Sequence, residues 1–88
     1  MNKNRRKELE AIKTRIEELL SELEDQRGNL EGIRDEEQEY FDNMPEPLQG
    51  SDKGAAAEEA ISAMEEAISA LEDIDTTTIT DSIDRAQE

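Results

Sequence analysis

Five oxygen-bearing side chains near the end of the sequence have the spacing of a calcium-binding loop. They are Asp73, Asp75, Thr77, Asp81 and Asp84. The spacing fits positions 1, 3, 5, 9 and 12 of the loop, which supply oxygen ligands to the ion. Position 6, where the loop turns sharply and requires glycine, is Thr78, and the last position is Asp rather than Glu. We therefore expect a solvated acidic face here and no metal site.

Adjacent carboxylates such as Glu58–Glu59 and Glu65–Glu66 are the other candidates for chemistry. A general acid and base need a pocket that separates their pKa values, and these pairs fall at exposed positions of a helical pattern. The sequence has no Cys and no His, which excludes thiol nucleophiles, imidazole catalysis and the usual zinc ligands. We expect a protein that is not an enzyme and has no cofactor.

The formal net charge of −15 is unevenly distributed. Residues 1–27 carry no net charge, whereas residues 55–88 contain ten acidic residues and only Arg85 as a base. Such a field repels nucleic acid and attracts basic protein surfaces, although it can also serve solubility alone. If the acidic surface binds a partner, the residues predicted to make the contact are Glu58, Glu59, Glu65, Glu66, Glu72 and Asp73.

The only two aromatic residues, Tyr40 and Phe41, lie close to two prolines. We expect them to pack with Leu48 at the tip of a hairpin. Recognition of a partner by Tyr40, Phe41 and Leu48 is the alternative to recognition by the acidic residues.

A seven-residue pattern of apolar positions, spaced 3, 4, 3, 4, predicts the element that positions these side chains. It runs through Leu9, Ile12, Ile16, Leu19, Leu23, Gln26, Leu30, Ile33, Glu37, Tyr40 and Met44. This spacing forms one stripe on a long helix over about residues 3–43, and the stripe requires a partner helix. Gly28 and Gly32 lie inside this helix, either as tolerated weak points or as places of close helix approach.

The prolines at 45 and 47 predict a turn over residues 44–51, and Ser51 offers an N-cap for a second helix. This helix opens with a repeat, EEAISAM followed by EEAISAL. The run Thr76–Thr78 predicts an end near Asp75. Folding the chain back, however, gives facing residues whose numbers sum to about 97–99, such as Ile33 with Met64 and Leu23 with Ile74. On that pairing we extend the helix over about 52–86.

The fold class expected is all-α: one domain over residues 1–88, an antiparallel, coiled-coil-like two-helix hairpin. Leu20 and Phe41 lie beside the main stripe and widen it beyond what two helices can enclose. We therefore expect a homodimer or larger homo-oligomer that forms a four-helix bundle. No apolar run approaches the length of a membrane span, and the basic start lacks the apolar stretch of a signal peptide. A soluble protein of the cytoplasm is expected.

The segment Glu39-Tyr40-Phe41-Asp42-Asn43-Met44-Pro45-Glu46, followed by Leu48-Gln49-Gly50-Ser51 and Glu58-Glu59-Ala60-Ile61, carries a resemblance. It resembles a group of small acidic helical proteins encoded by bacteriophages and other mobile elements. The resemblance covers roughly residues 34–72. It implies a phage accessory protein in the host cytoplasm and supplies no activity, because the group is largely uncharacterised.

Three functions fit these observations. The first is an anti-defence inhibitor that resembles DNA in its charge and binds a host or defence protein with a basic surface, without binding nucleic acid or membrane itself. The second is a small structural, assembly or chaperone bundle. The third is a small-molecule sponge that holds a signalling nucleotide at helix N-termini, which the excess negative charge disfavours.

Overall fold

The computed structural model describes residues 1–88 as four α-helices without any β-strand. They are α1 (Lys3–Asp42), α2 (Glu46–Gln49), α3 (Asp52–Glu72) and α4 (Thr76–Ala86). Helix accounts for 86% of the chain. The all-α prediction is confirmed, and α1 ends one residue before the end that the apolar stripe and the prolines predicted.

The predicted turn contains a helical turn of its own. Residues 45–50 were expected to be irregular, but Glu46–Gln49 form the short helix α2, with Pro45 as its N-cap. Proline is tolerated at position 47 because the amide groups in the first turn of a helix have no acceptor within the helix, so the missing amide proton costs no hydrogen bond. Gln49, the last residue of α2, reaches the end of α1. Its Nε2 donates to the carbonyl oxygens of Phe41, at 3.1 Å, and Met44, at 3.3 Å. The Phe41 carbonyl also accepts from the Met44 amide at 3.1 Å, so Gln49 adds a second donor at the end of α1 and ties it to α2.

The expected single helix over residues 52–86 is divided into α3 and α4. Helix α3 ends at Glu72, and Asp75 is the N-cap of α4, accepting a hydrogen bond from the Thr78 amide at 2.9 Å and another from its hydroxyl at 2.6 Å. The Asp75 carboxylate accepts the hydrogen bond of an amide that would otherwise bond to a backbone carbonyl of the continuing helix. A new helix therefore begins at this point. The prediction of a single helix to residue 86 did not take this capping interaction into account.

The chain forms two compact units, of which the first contains Met1–Glu24 and Ile74–Glu88. Within it, the Nζ of Lys13 on α1 lies 2.7 Å from the Oδ1 of Asp84 on α4. The Nε2 of Gln87 donates to the Oε2 of Glu10 at 3.0 Å. The apolar residues that α1 and α4 bury partly in this unit are Leu9, Ile16, Leu20, Ile79 and Ile83.

The second unit contains Asp25–Asp73, the C-terminal part of α1 with α2 and α3. Its core is narrow: Ala57, Ile61 and Ile68 of α3 are the only buried hydrophobic residues of the whole chain. Ser51 is the N-cap residue of α3, as predicted, but its hydroxyl donates to the Leu48 carbonyl instead of capping the helix. Gly54 is also buried, because α2 approaches it closely.

The contacting face of α1 differs from the predicted stripe. Five residues of the stripe are 40–56% exposed: Ile12, Leu19, Leu23, Ile33 and Tyr40. Leu20 and Phe41, which were expected to lie beside the contact, are half-buried, and so are Arg27 and Arg34. Ile33 and Leu23, which were expected to face Met64 and Ile74, remain 56% and 40% exposed, so neither is enclosed within the chain.

Candidate acidic binding surface

Six carboxylates define what we call the acidic strip: Glu58, Glu59, Glu65, Glu66, Glu72 and Asp73. All six are exposed, five on α3 and Asp73 as the C-cap residue of that helix. These are the residues that the sequence predicted for partner contact. The structure places them in three pairs along α3 and its C-cap, with Ser62 and Ser69 on the same surface.

The repeat in α3 explains why these carboxylates share a side. Ile61 and Ile68 are buried and lie seven residues apart, so the glutamates before them recur at the same angle around the helix. Serines fill the gaps between the acidic pairs. A shallow, open depression on this side is lined by Ser62, Glu65, Glu66, Ser69, Ala70 and Asp73. The surface is therefore a polar helix face without an enclosed pocket.

None of the six carboxylates forms an ion pair within the chain. Arg27 and Arg34 of α1 pair within their own helix, at 3.7 Å from Glu31 and 3.0 Å from Asp35. The charge of the acidic strip is consequently not neutralised by the protein itself, and it is available to cations of a partner.

The density of charge on the strip is close to that of a nucleic-acid strand. At 1.5 Å per residue, the distance from Glu58 to Asp73 along the helix is about 22 Å, or about one charge per 4 Å. One DNA strand carries one charge per roughly 3.4 Å of helix axis. A basic groove that binds a phosphate backbone would meet a similar number of negative charges on this helix.

The residues predicted at the hairpin tip are only partly packed. Phe41 is half-buried, whereas Tyr40 is 49% and Leu48 is 46% exposed. The expectation that all three pack together is therefore met only by Phe41. Tyr40 and Leu48 offer an exposed apolar surface beside the turn, as recognition by the tip would require.

The residues of the calcium-loop pattern serve other purposes. Hydrogen bonding, first from the Thr78 hydroxyl and then from its amide, lowers the pKa of Asp75 below its ordinary value. Asp84 accepts a hydrogen bond from Lys13 and thereby raises the pKa of that lysine. Thr77 lies within α4. The structure thus places these side chains in a helix cap and a contact between helices, and no group of three or more potential ligands comes together to hold a metal.

Sequence reasoning missed two residues that position the acidic strip. Gly54, in the first turn of α3, has its backbone so close to α2 that a Cβ would lie 2.0 Å from the carbonyl oxygen of Gln49. Gln49 in turn holds the end of α1. A glycine so soon after the N-cap was a signal for Gly54, but nothing in the sequence identified Gln49.

Comparisons with protein families, with characterised proteins and with solved structures found no match to this chain. None of the helices contains an apolar stretch of the length that crossing a membrane requires.

Proposed function

We propose that this chain is an accessory protein of a phage or mobile element that acts in the host cytoplasm by binding a protein. Its partner is a host or defence protein whose basic surface normally binds nucleic acid. The acidic strip occupies that surface, and the protein inhibits its partner as a DNA mimic would. The observation that supports this proposal is the row of six exposed carboxylates on one helix, none of them paired within the chain.

The mechanism is competition for a groove. Basic side chains of the partner that would neutralise phosphates meet carboxylates at similar spacing, and each pairing releases counterions as phosphate binding does. The helix holds its glutamates at fixed intervals, so little conformational entropy of the backbone is lost on binding. Neither catalysis nor a cofactor is required, because occupation of the groove alone prevents nucleic acid from binding.

We propose further that the helices form an antiparallel two-helix hairpin and that two copies assemble into a four-helix bundle. The contact of Lys13 with Asp84 and that of Glu10 with Gln87 support the hairpin, since both join residues whose numbers sum to 97. The assembly is supported by the small number of buried apolar residues: eight large hydrophobic residues are exposed and only three hydrophobic residues are buried.

A pull-down from host lysate at low and at high salt tests the proposed function. We expect the tagged chain to capture a basic, nucleic-acid-binding protein at low salt and to release it at high salt. Added duplex DNA should compete for the captured protein, because both ligands use the same groove. Capture that is insensitive to salt and to DNA would contradict mimicry.

The second candidate is a structural, assembly or chaperone bundle. The exposure of Ile33 and Tyr40, at 56% and 49%, favours it, because an apolar surface of this kind can hold other protein components. The same pull-down separates the two functions. A structural protein of the phage, retained at high salt, is the result that an assembly role predicts.

A further inference from the structure

Two exposed strips of different size lie on the second unit. The first consists of Ile33 and Tyr40 of α1, seven residues apart, and we call it the large strip. The other, which we call the alanine strip, lies on α3 and is exposed except at the half-buried Ala60. Its members are Ala56, Ala60, Ala63 and Ala67. The alanine strip contains no charged residue, whereas the half-buried Glu37 lies between Ile33 and Tyr40 in the large strip.

Helix geometry places both strips on the same side of the unit. Ile33 and Tyr40 each precede a half-buried residue of α1, Arg34 or Phe41, by one position. Ala60 and Ala67 likewise precede the buried Ile61 and Ile68 of α3. One position is a rotation of about 100° around a helix. Because the chain reverses between α1 and α3, equal rotations from their contacting faces lead to the same side of the pair.

The acidic strip lies on the other side. Glu58 and Glu65 precede Ile61 and Ile68 by three positions, which corresponds to a rotation of about 60° in the opposite sense. Ser62 and Ser69 follow the same two isoleucines by one position and continue that side. The buried isoleucines separate the acidic face from the apolar face on one side of α3. On the outer side of the helix, Glu59 and Glu66, two positions before the isoleucines, adjoin the alanine strip.

We infer that the apolar face of the second unit is the docking site of a second copy of this chain, with the large strip of each copy on the alanine strip of the other. This inference rests on the proposed homo-oligomer and specifies its interface. Large side chains that pack on a row of alanines can reach the density of a protein core. If the large strips of the two copies packed on each other instead, gaps would remain beside the alanines. A two-fold axis makes the two contacts equivalent.

The exposed area of the chain supports a second copy as the occupant. A folded monomer of 10.0 kDa is expected to expose about 5,200 Å². This chain exposes 6527 Å², an excess of about 1,300 Å² over that expectation. A stable dimer of standard size covers about 800 Å² on each partner. The chain thus has enough surplus surface for an interface with another copy of itself.

Such a dimer has a consequence for the proposed function. The apolar faces meet at the centre, so the two acidic strips remain on the outside, facing away from each other. Salt weakens the repulsion between the two acidic strips, since the Debye length is about 8 Å at physiological ionic strength. One dimer should then bind two partner molecules, one on each acidic strip.

Sedimentation of charge-insertion variants tests the interface. We expect the wild-type chain to sediment with twice the mass of the 10.0 kDa monomer and Ala67→Glu to sediment as a monomer at the same concentration. Ser69→Glu is the matched control, because it adds the same charge to α3 on the acidic side and should leave the dimer intact. A monomeric wild type, or an Ala67→Glu dimer as stable as the control, would overturn the inference.

Cross-linking keeps the test decisive if Ala67→Glu fails to fold. The chain contains no cysteine, so single cysteines can be introduced freely. Ile33→Cys chains mixed with differently tagged Ala67→Cys chains should form a mixed disulfide under mild oxidation, whereas Ile33→Cys mixed with Ser69→Cys should not. Equal yields in the two mixtures would refute the interface. Both measurements are made without the binding partner, so their failure leaves the acidic strip to be tested separately.

Discussion

Gly54 and Gln49 are in closer contact than any side chain at position 54 would allow. A Cβ on Gly54 would lie 2.0 Å from the carbonyl oxygen of Gln49 and 2.5 Å from its carbonyl carbon. Because these are backbone atoms, no rotamer change can relieve the overlap. The absence of a side chain at Gly54 is therefore what allows α2 to fold onto the start of α3.

Replacing Gly54 with alanine should destabilise the protein. We expect a cost of about 1–3 kcal/mol, since the backbone must move as it does when a well-packed core is overfilled. The free energy of unfolding from urea denaturation, followed by circular dichroism, is the measurement. Unchanged stability would show that α2 and α3 can separate without cost.

Gly28 and Gly32 provide the opposite case within α1. A Cβ on either glycine would have nothing within 4 Å, which excludes close helix approach at these positions within the chain. Gly28→Ala and Gly32→Ala should each stabilise the protein by about 0.5–1 kcal/mol, because alanine loses less backbone entropy in a helix. The same denaturation experiment checks this. A loss of stability would indicate a contact with a partner chain at that glycine.

The side chain of Gln49 should contribute to stability through the end of α1. Gln49→Ala removes hydrogen bonds to the carbonyl oxygens of Phe41 and Met44, and we expect a loss of about 1 kcal/mol. Gln38→Ala is the matched control, because its amide bonds only to the exposed carboxylate of Asp42. Equal losses in the two variants would mean that the hydrogen bonds of Gln49 have no special role.

Acidification should release the N-cap of α4. The pKa of Asp75 is lowered from 3.8 by its hydrogen bonds with Thr78, so the cap contributes fully above that value and is lost as the pH falls through the lower pKa of the folded state. We expect the Thr78 amide to lose protection from hydrogen exchange as the pH is lowered below 3.8. In Asp75→Asn, which keeps an acceptor but does not titrate, protection should not change in this range. A protection factor of the wild-type Thr78 amide that does not change with pH would contradict the cap.

The sequence predicted the elements better than their packing. The apolar period and Pro45 predicted α1 to within a residue of its end, because both signals act locally. The division between α3 and α4 was half-visible: the threonines predicted an end near Asp75, and α3 ends at Glu72. Pairing the two stripes overrode that signal, because it treated every apolar residue as one that a partner helix must cover.

The contacting face of α1 was beyond sequence reasoning. An apolar period identifies side chains that avoid water, but it does not identify what covers each of them. Ile33 is exposed and Phe41 half-buried, although the sequence placed Ile33 in the contact and Phe41 beside it. The acidic strip was easier to predict, because it depends only on the repeat within one helix.

Reversing the charge of the acidic strip tests the central claim most directly. The wild-type chain and a variant carrying Glu58→Lys, Glu59→Lys, Glu65→Lys and Glu66→Lys would be compared for capture of the salt-sensitive protein from host lysate. We expect the variant to keep its helix content and to lose the capture, because the variant presents lysines to a basic groove. If capture survives the reversal and is lost instead on replacing Tyr40 or Leu48 with alanine, recognition belongs to the hairpin tip and the acidic strip is not the binding surface.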